Sequence, residues 1–321
     1  MSQRPAVFAT RNVPDAVKER LTRDYDARIN EADTVLDADA IVREAEGAEA
    51  VIVSPPDRMD AALIARLPQS VRAIVCYSVG VNHVDLDAAK ERGLIATNTP
   101  GVLTQSTADT AMLLMLGATR RSWEGQSMLR AGEWKGWAPT QLMGLELGTR
   151  RLGVMGMGRI GQAVAHRARA FGMEIHYHDV RRLDPEQEQG ATYHETPESL
   201  LKVSDVLTLH TPATPETYRF LNAERIALLP ENAVVVNSAR GDVVDDEALI
   251  DALKTGRIFA AGLDVFNGEP NLHPGYLELE NAYMLPHLGS ATVETRNAMG
   301  FKVLDNMDAI FAGTEPPDRV V

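Results

Sequence analysis

The sequence predicts an α/β protein of about two domains, with parallel sheets covered by helices and a middle domain inserted into an outer one. Three observations carry this reading. Short apolar runs alternate with amphipathic stretches from one end of the chain to the other. The chain has 321 residues, and domains run to roughly 100–200 residues each. Two long helical stretches, about Thr104–Arg130 and Thr292–Phe311, flank the strongest block of alternation.

In the first third, strands are expected at Ala6–Ala9, Ala50–Val53, Val71–Cys76 and Leu94–Thr97. Between them the helical pattern appears at Asp39–Glu46, Asp60–Leu67 and Asp85–Arg92. The middle block gives strands at Arg151–Met155, Glu174–His178, Asp205–His210, Ala233–Asn237 and Phe259–Asp264, with a late one at Ala282–Leu285. The expected division is 1–101 with 290–321 as the outer domain and 102–289 as the inserted one.

Composition excludes several classes of function. The 32 basic and 45 acidic residues leave a formal charge of −13. That argues against nucleic acid or an anionic membrane as partner, since phosphate binding needs a basic face. The single Cys76 rules out a disulfide within the chain and fits a reducing compartment. The opening MSQRPAVFAT lacks the apolar core of a signal peptide, and the strongly apolar run Ala111–Leu116 is too short to cross a bilayer. A globular cytoplasmic protein is expected.

The sharpest local signal is Gly156-x-Gly158-x-x-Gly161, directly after an apolar strand and opening a helical stretch over Arg159–Phe171. The first glycine permits the tight turn, and the second lets backbone N–H groups approach a pyrophosphate. The third lets the helix pack closely on the sheet, and the helix start favours negative charge. This is the fingerprint of a Rossmann unit. Asp179, eighteen residues beyond Gly161, ends the next strand. Its carboxylate suits the adenosine ribose hydroxyls and repels a 2′-phosphate, which favours NAD. Arg181 and Arg182 just beyond could pair with that phosphate, so NADP use stays open. His176 and His178 share a face of this strand, but no spacing supplies a third ligand, so no metal is expected.

Three further segments place a charged or titratable residue after an apolar strand: Val234–Asp242 with Arg240, Gly262–Pro270 with Asp264 and Glu269, and Leu285–Thr292 with His287. Open α/β sheets bind ligands at that edge, so these residues can converge although they are far apart in sequence.

The sequence resembles the D-isomer-specific 2-hydroxyacid dehydrogenases. The matching stretches are Asn98-Thr-Pro-Gly-Val, Gly153–Gly161, Leu209-His-Thr-Pro, Asn237-Ser-Ala-Arg-Gly, Asp264-Val-Phe and Pro286-His-Leu-Gly-Ser-Ala-Thr, in the family's order across almost the whole chain. Trp137-Ala-Pro-Thr, Leu142-Met-Gly and Ile175–Leu183 are similar to the glyoxylate and hydroxypyruvate reductase branch, the D-glycerate dehydrogenases. The Asp179-Val180 pair departs from many NADP-dependent members, which strengthens the NAD reading.

The resemblance implies a Rossmann dinucleotide-binding domain inserted into a discontinuous flavodoxin-like α/β substrate domain. It implies that Arg240 grips the carboxylate and carbonyl oxygen of a small 2-keto acid, for which a guanidinium fork is well shaped. His287 would exchange a proton with that oxygen while hydride passes to or from a nicotinamide, and an imidazole suits reversible transfer near neutral pH. Glu269 would orient the imidazole and favour its charged form. Backbone N–H groups of Val79 and Gly80 would bind the substrate carboxylate. Thr107, Gly156, Gly158, Arg159, Ile160, Gly161, Asp179, His210, Thr211, Pro212, Ser238, Ala239, Asp264, His287 and Gly289 match cofactor-contacting positions. Trp134 and Trp137 lie in a stretch that crosses between subunits in similar reductases, so a homodimer is implied. Two other readings stay open: a dehydrogenase of the same family for another small acid (D-lactate, phosphoglycerate, formate or phosphite), and a non-enzymatic NAD-sensing regulator.

Overall fold

The computed structural model describes residues 4–321, so the first three residues of MSQRPAVFAT lie outside the described residues. The chain divides into two compact units, one formed by the chain up to Leu103 with Ala291–Val321 and the other by Thr104–Ser290. Each is a parallel α/β layer structure.

The first unit holds β1 (Ala6–Ala9), β2 (Asp26–Ile29), β3 (Ala50–Val53), β4 (Ala73–Cys76) and β5 (Ile95–Thr97) in the order β2-β1-β3-β4-β5. All neighbours are parallel. β3 and β4 are buried along their whole length, as strands covered on both faces must be. Val7, Val17, Leu21, Val75 and Met307 pack in the core on one face, and Phe8, Ile41, Val51, Ile64 and Ile74 on the other. Aspartates cap the covering helices: Asp37, Asp60 and Asp85 each accept a backbone N–H in the first turn of the helix that follows.

The second unit holds β6 (Arg151–Met155), β7 (Glu174–His178), β8 (Thr192–Tyr193), β9 (Val206–Leu209), β10 (Ala233–Asn237), β11 (Ile258–Leu263) and β12 (Ala282–Met284). Their order is β12-β11-β10-β9-β6-β7-β8, again all parallel. The chain leaves β6 in one direction and returns beyond it to β9. This reversal opens a crevice at the carboxyl ends of the strands, where ligands bind in doubly wound sheets.

Two edge strands, β2 and β8, were not expected from the sequence. Both carry polar, half-exposed residues and gain their order from one neighbour only. The long helix expected over Thr104–Arg130 is two helices, Thr104–Thr119 and Ser122–Arg130. Arg121 sits between them in a left-handed conformation (φ 52°), and Leu145 N–H donates to the Thr119 carbonyl, 2.8 Å, where the helix stops.

The glycine turn after β6 explains its own sequence. Gly156 has φ 94°, and a methyl there would also lie 2.9 Å from the His210 backbone. At Gly161 a methyl would collide with the Gly156 carbonyl oxygen. Gly161→Ala is therefore expected to destabilise the second unit by about 1–3 kcal/mol, through forced separation of helix and turn. Urea unfolding checks this; unchanged stability would contradict the packing described.

Candidate active site

The carboxyl ends of β6, β7, β9, β10, β11 and β12 collect the predicted residues of the second unit. At the glycine turn, Gly156 N–H donates to the His178 carbonyl, 2.9 Å, which ties the turn to β7. Gly158 precedes the helix Arg159–Ala170, and a methyl on it would meet nothing within 4 Å. The space beside this helix start is open, as an anion-binding turn requires. Asp179 accepts the Met157 N–H at 2.7 Å and the Arg181 N–H at 3.4 Å, so its carboxylate is fixed at the lip of the turn.

The arginines beyond Asp179 differ. Arg182 donates to Glu188 at 2.8 and 3.3 Å and lies over the Tyr193 ring, while among the described residues no such pair engages the Arg181 side chain. His176 meets His194 at 3.0 Å and Glu174 at 3.1 Å, and His178 meets the His194 carbonyl at 2.8 Å. Among the described residues no group of three His, Cys, Asp or Glu side chains is placed to hold a metal ion.

After β9 come His210, Thr211 and Pro212. Burial pushes the His210 imidazole down to about 4, and its Nε2 lies 2.9 Å from the Thr208 hydroxyl. The unfolded imidazole titrates near 6.5 and takes a proton that the folded one refuses until about 4. Stability is thus lost as pH falls through that window, by about 1.4 kcal/mol per pH unit for this group. Between pH 6.5 and 5 the loss is about 2 kcal/mol. His210→Gln is expected to remove most of that slope in urea unfolding; an unaltered slope would place the proton uptake elsewhere.

The hydroxyls of Thr211 and Ser238 are buried and have no hydrogen-bond partner among the described residues. Buried polar groups are almost always paired, so two orphans at one sheet edge point to a polar ligand. Together with the open space at Gly158 they fit a dinucleotide laid across the crevice.

Arg240 follows β10. Asn237, itself buried, donates from Nδ2 to the Arg240 carbonyl at 2.9 Å and accepts the Ala239 N–H at 3.0 Å, which clamps the turn presenting Arg240. Any side chain at Gly241 would strike the Phe266 backbone, so this turn lies against the loop carrying Glu269. Burial works to lower the Arg240 pKa, and the nearby charges of Glu269 and Asp242 oppose it.

His287 lies after β12, and its Nδ1 is 2.7 Å from Glu269 Oε2. Burial opposes ionisation of Glu269. The His287 hydrogen bond and charge, the Phe266 N–H at 2.8 Å and the Arg240 charge outweigh it and hold this carboxyl below its ordinary range. An ionised Glu269 can only accept, so Nδ1 carries the shared proton and Nε2 is left to exchange one. His287 has φ 56°, uncommon for a residue other than glycine. Asp264 sustains it: its carbonyl accepts the His287 N–H at 2.8 Å, and its two carboxylate oxygens accept the N–H groups of Leu288 at 2.6 Å and Gly289 at 2.8 Å. Thr107 Oγ1 then donates to the Gly289 carbonyl at 3.2 Å. The clamps by Asn237 and Asp264 were missed from sequence, because a backbone angle leaves no composition signal.

Val79 and Gly80 belong to the first unit, in the loop after β4. Trp134 and Trp137 are 52% and 82% exposed, in a stretch without regular secondary structure between Arg130 and Leu147.

A doubly wound sheet with a glycine turn, an acidic residue on the next strand and a histidine–carboxylate pair at its edge marks a nicotinamide-dependent oxidoreductase. Residues 112–289 match the family described as "D-isomer specific 2-hydroxyacid dehydrogenase, NAD binding domain". The chain is 40% identical to a glycerate dehydrogenase of Hyphomicrobium methylovorum, over 96% of this chain and 97% of that one. It is 39% identical to a glyoxylate reductase of Thermococcus litoralis, over 99% and 97%. A solved NADPH-dependent glyoxylate/hydroxypyruvate reductase from Sinorhizobium meliloti, in complex with NADP and malonate, superposes with TM-score 0.88 at 35% identity, covering 99% of this chain and 97% of that one. The chain belongs to the D-isomer specific 2-hydroxyacid dehydrogenase family. It is an NAD(P)-dependent oxidoreductase.

Proposed function

We propose that this protein reduces glyoxylate and hydroxypyruvate to the corresponding 2-hydroxy acids with NADH as its preferred cofactor. The observation that carries this reading is the His287–Glu269 pair, 2.7 Å apart, with the Arg240 charge acting on the same carboxylate. The nicotinamide cofactor, when bound, supplies the hydride. His287 Nε2 gives its proton to the carbonyl oxygen of the keto acid, and Glu269 stabilises the imidazole while it is charged. Arg240 grips the carboxylate and carbonyl oxygens, polarising the bond that is reduced. Val79 and Gly80 offer backbone N–H groups to the substrate carboxylate.

For the cofactor, Gly156, Gly158, Arg159, Ile160 and Gly161 would receive the pyrophosphate and Asp179 the ribose. Thr107, His210, Thr211, Pro212, Ser238, Ala239, Asp264, His287 and Gly289 would line the rest. Asp179 favours NADH because its fixed carboxylate repels a 2′-phosphate. The chain up to residue 101 with 290–321 would serve as the substrate domain and 102–289 as the cofactor domain. Exposed Trp134, Trp137 and Met143 support a homodimer, since apolar side chains gathered on one exposed stretch suit a subunit contact. A cytoplasmic location fits the unpaired Cys76.

The test is steady-state oxidation of NADH and NADPH with glyoxylate, hydroxypyruvate, pyruvate and phenylpyruvate. The expected order places glyoxylate and hydroxypyruvate first, with NADH preferred. A tenfold preference for NADPH would overturn the cofactor assignment, and no turnover on any acid would favour a regulator.

A further inference from the structure

The loop after β4 has an unusual bonding pattern, and a residue outside it sets that pattern. Every carbonyl from Ser78 to Gly80 is drawn into the first unit. Ser78 O accepts the Thr99 N–H at 2.9 Å, Val79 O accepts Asn98 Nδ2 at 2.8 Å, and Gly80 O accepts the Ser78 hydroxyl at 2.7 Å. None of these bonds takes the N–H of Val79 or Gly80. In a planar trans peptide the C=O and the following N–H point in opposite directions. Drawing in the Ser78 carbonyl therefore turns the Val79 N–H outward, and drawing in the Val79 carbonyl does the same for the Gly80 N–H. The first of these is a main-chain bond that any residue at position 99 except proline would make. The second depends on one side chain, Asn98.

Asn98 is in turn held firmly. Its N–H donates to the Asp318 carbonyl at 3.2 Å, and its own carbonyl accepts Asn306 Nδ2 at 3.4 Å. Asn306 is fully buried; it donates to Asp318 Oδ2 at 3.1 Å and accepts the Asp318 N–H at 3.0 Å. Lys302 closes the chain of contacts on Asp318 at 2.7 and 2.8 Å. A network reaching from the helix Val293–Ala312 and the C-terminal segment thus ends on one carbonyl of the loop.

We propose that Asn98 is a positioning residue for substrate binding: its side-chain amide fixes the Val79–Gly80 peptide so that the Gly80 N–H faces the substrate carboxylate. This rests on the reading, given above, that the loop amides bind that carboxylate. Without the Asn98 donor the peptide is free to rotate, and its carbonyl oxygen can turn toward the anion. The loss falls on substrate affinity rather than on the chemical step.

The experiment compares glyoxylate with its methyl ester, which lacks the carboxylate, in the full-length protein and in Asn98→Ala, Asn98→Ser and Lys302→Gln. Wild type is expected to favour the acid over the ester by more than tenfold in kcat/KM. Asn98→Ala and Asn98→Ser are each expected to raise the KM for glyoxylate about tenfold and to narrow the acid–ester preference by a similar factor. The Kd for NADH, read by fluorescence, should stay within about twofold, as should kcat. Lys302→Gln loosens the same network without touching the loop, and should lower the unfolding midpoint while leaving KM within about twofold. If wild type shows no preference for the acid, the carboxylate reading of the loop fails and takes this proposal with it. If wild type prefers the acid and both Asn98 variants keep the full preference, the reading stands and the role of Asn98 is overturned. A KM raised equally by Lys302→Gln would reduce Asn98 to a merely structural part.

Discussion

Replacing His287 by asparagine is expected to lower kcat by about 10²–10⁴-fold, the usual contribution of a positioned acid or base, while NADH still binds. Asparagine is the informative choice because His287 has φ 56°. Asn tolerates the left-handed conformation better than most residues, so the turn held by Asp264 should survive the change. It cannot deliver a proton from the place of Nε2, and it gives Glu269 no charge to face. The Glu269 carboxylate would then lose the hydrogen bond and charge that keep it ionised against burial. Its pKa should rise, visible as a shift in the acid limb of any residual activity. Turnover close to that of wild type would remove His287 from the chemistry.

Arg240→Met is the second large effect. Methionine keeps much of the stem but neither the charge nor the fork. kcat/KM for glyoxylate should fall by about 10²–10⁴-fold, or about 3–5 kcal/mol, as when one partner of a desolvated charge pair is removed. Arg240→Lys should recover only part of this, because an ammonium cannot present two parallel N–H groups to a carboxylate. Stability separates this role from a structural one. Burial already acts against the guanidinium, whose side-chain bond is to the carbonyl of its own neighbour Ala239 at 2.6 Å. The variant should therefore unfold at the same denaturant concentration as wild type or a higher one. A large loss of stability with kcat/KM preserved would make Arg240 a structural residue.

What the sequence made legible, and what it hid, divides along physical lines. Buried parallel strands such as β3, β6 and β10 have apolar runs whose ends match the observed strands to the residue. The glycine turn was readable because each position is constrained for a separate reason: a positive φ at Gly156, open space at Gly158, and contact with the Gly156 carbonyl at Gly161. Strand β2, with the sequence Asp-Ala-Arg-Ile, carried no such signal, since an edge strand takes its order from its neighbour. The break at Arg121 was hidden because a helical pattern continues on both sides of it.

At the candidate site, Arg240, Glu269 and His287 stood out as charged or titratable residues after apolar strands. The parts that hold them did not. Asp264 was read as a group for the cofactor, yet both its oxygens also secure the backbone after His287. Asn237 reads as the last residue of an apolar strand and turns out to clamp the Arg240 turn. Such bonds depend on where a chain reverses direction, which side-chain identity alone does not specify.

In the proposed reaction, hydride and proton reach the two ends of a 2-keto carbonyl. The most direct measurement is NMR of the product formed from hydroxypyruvate and NADH deuterated at C4 of the nicotinamide on the transferred face. The expected product is glycerate carrying one deuteron at C2, in the D configuration. Glycerate without deuterium at C2, or with the L configuration, would contradict it.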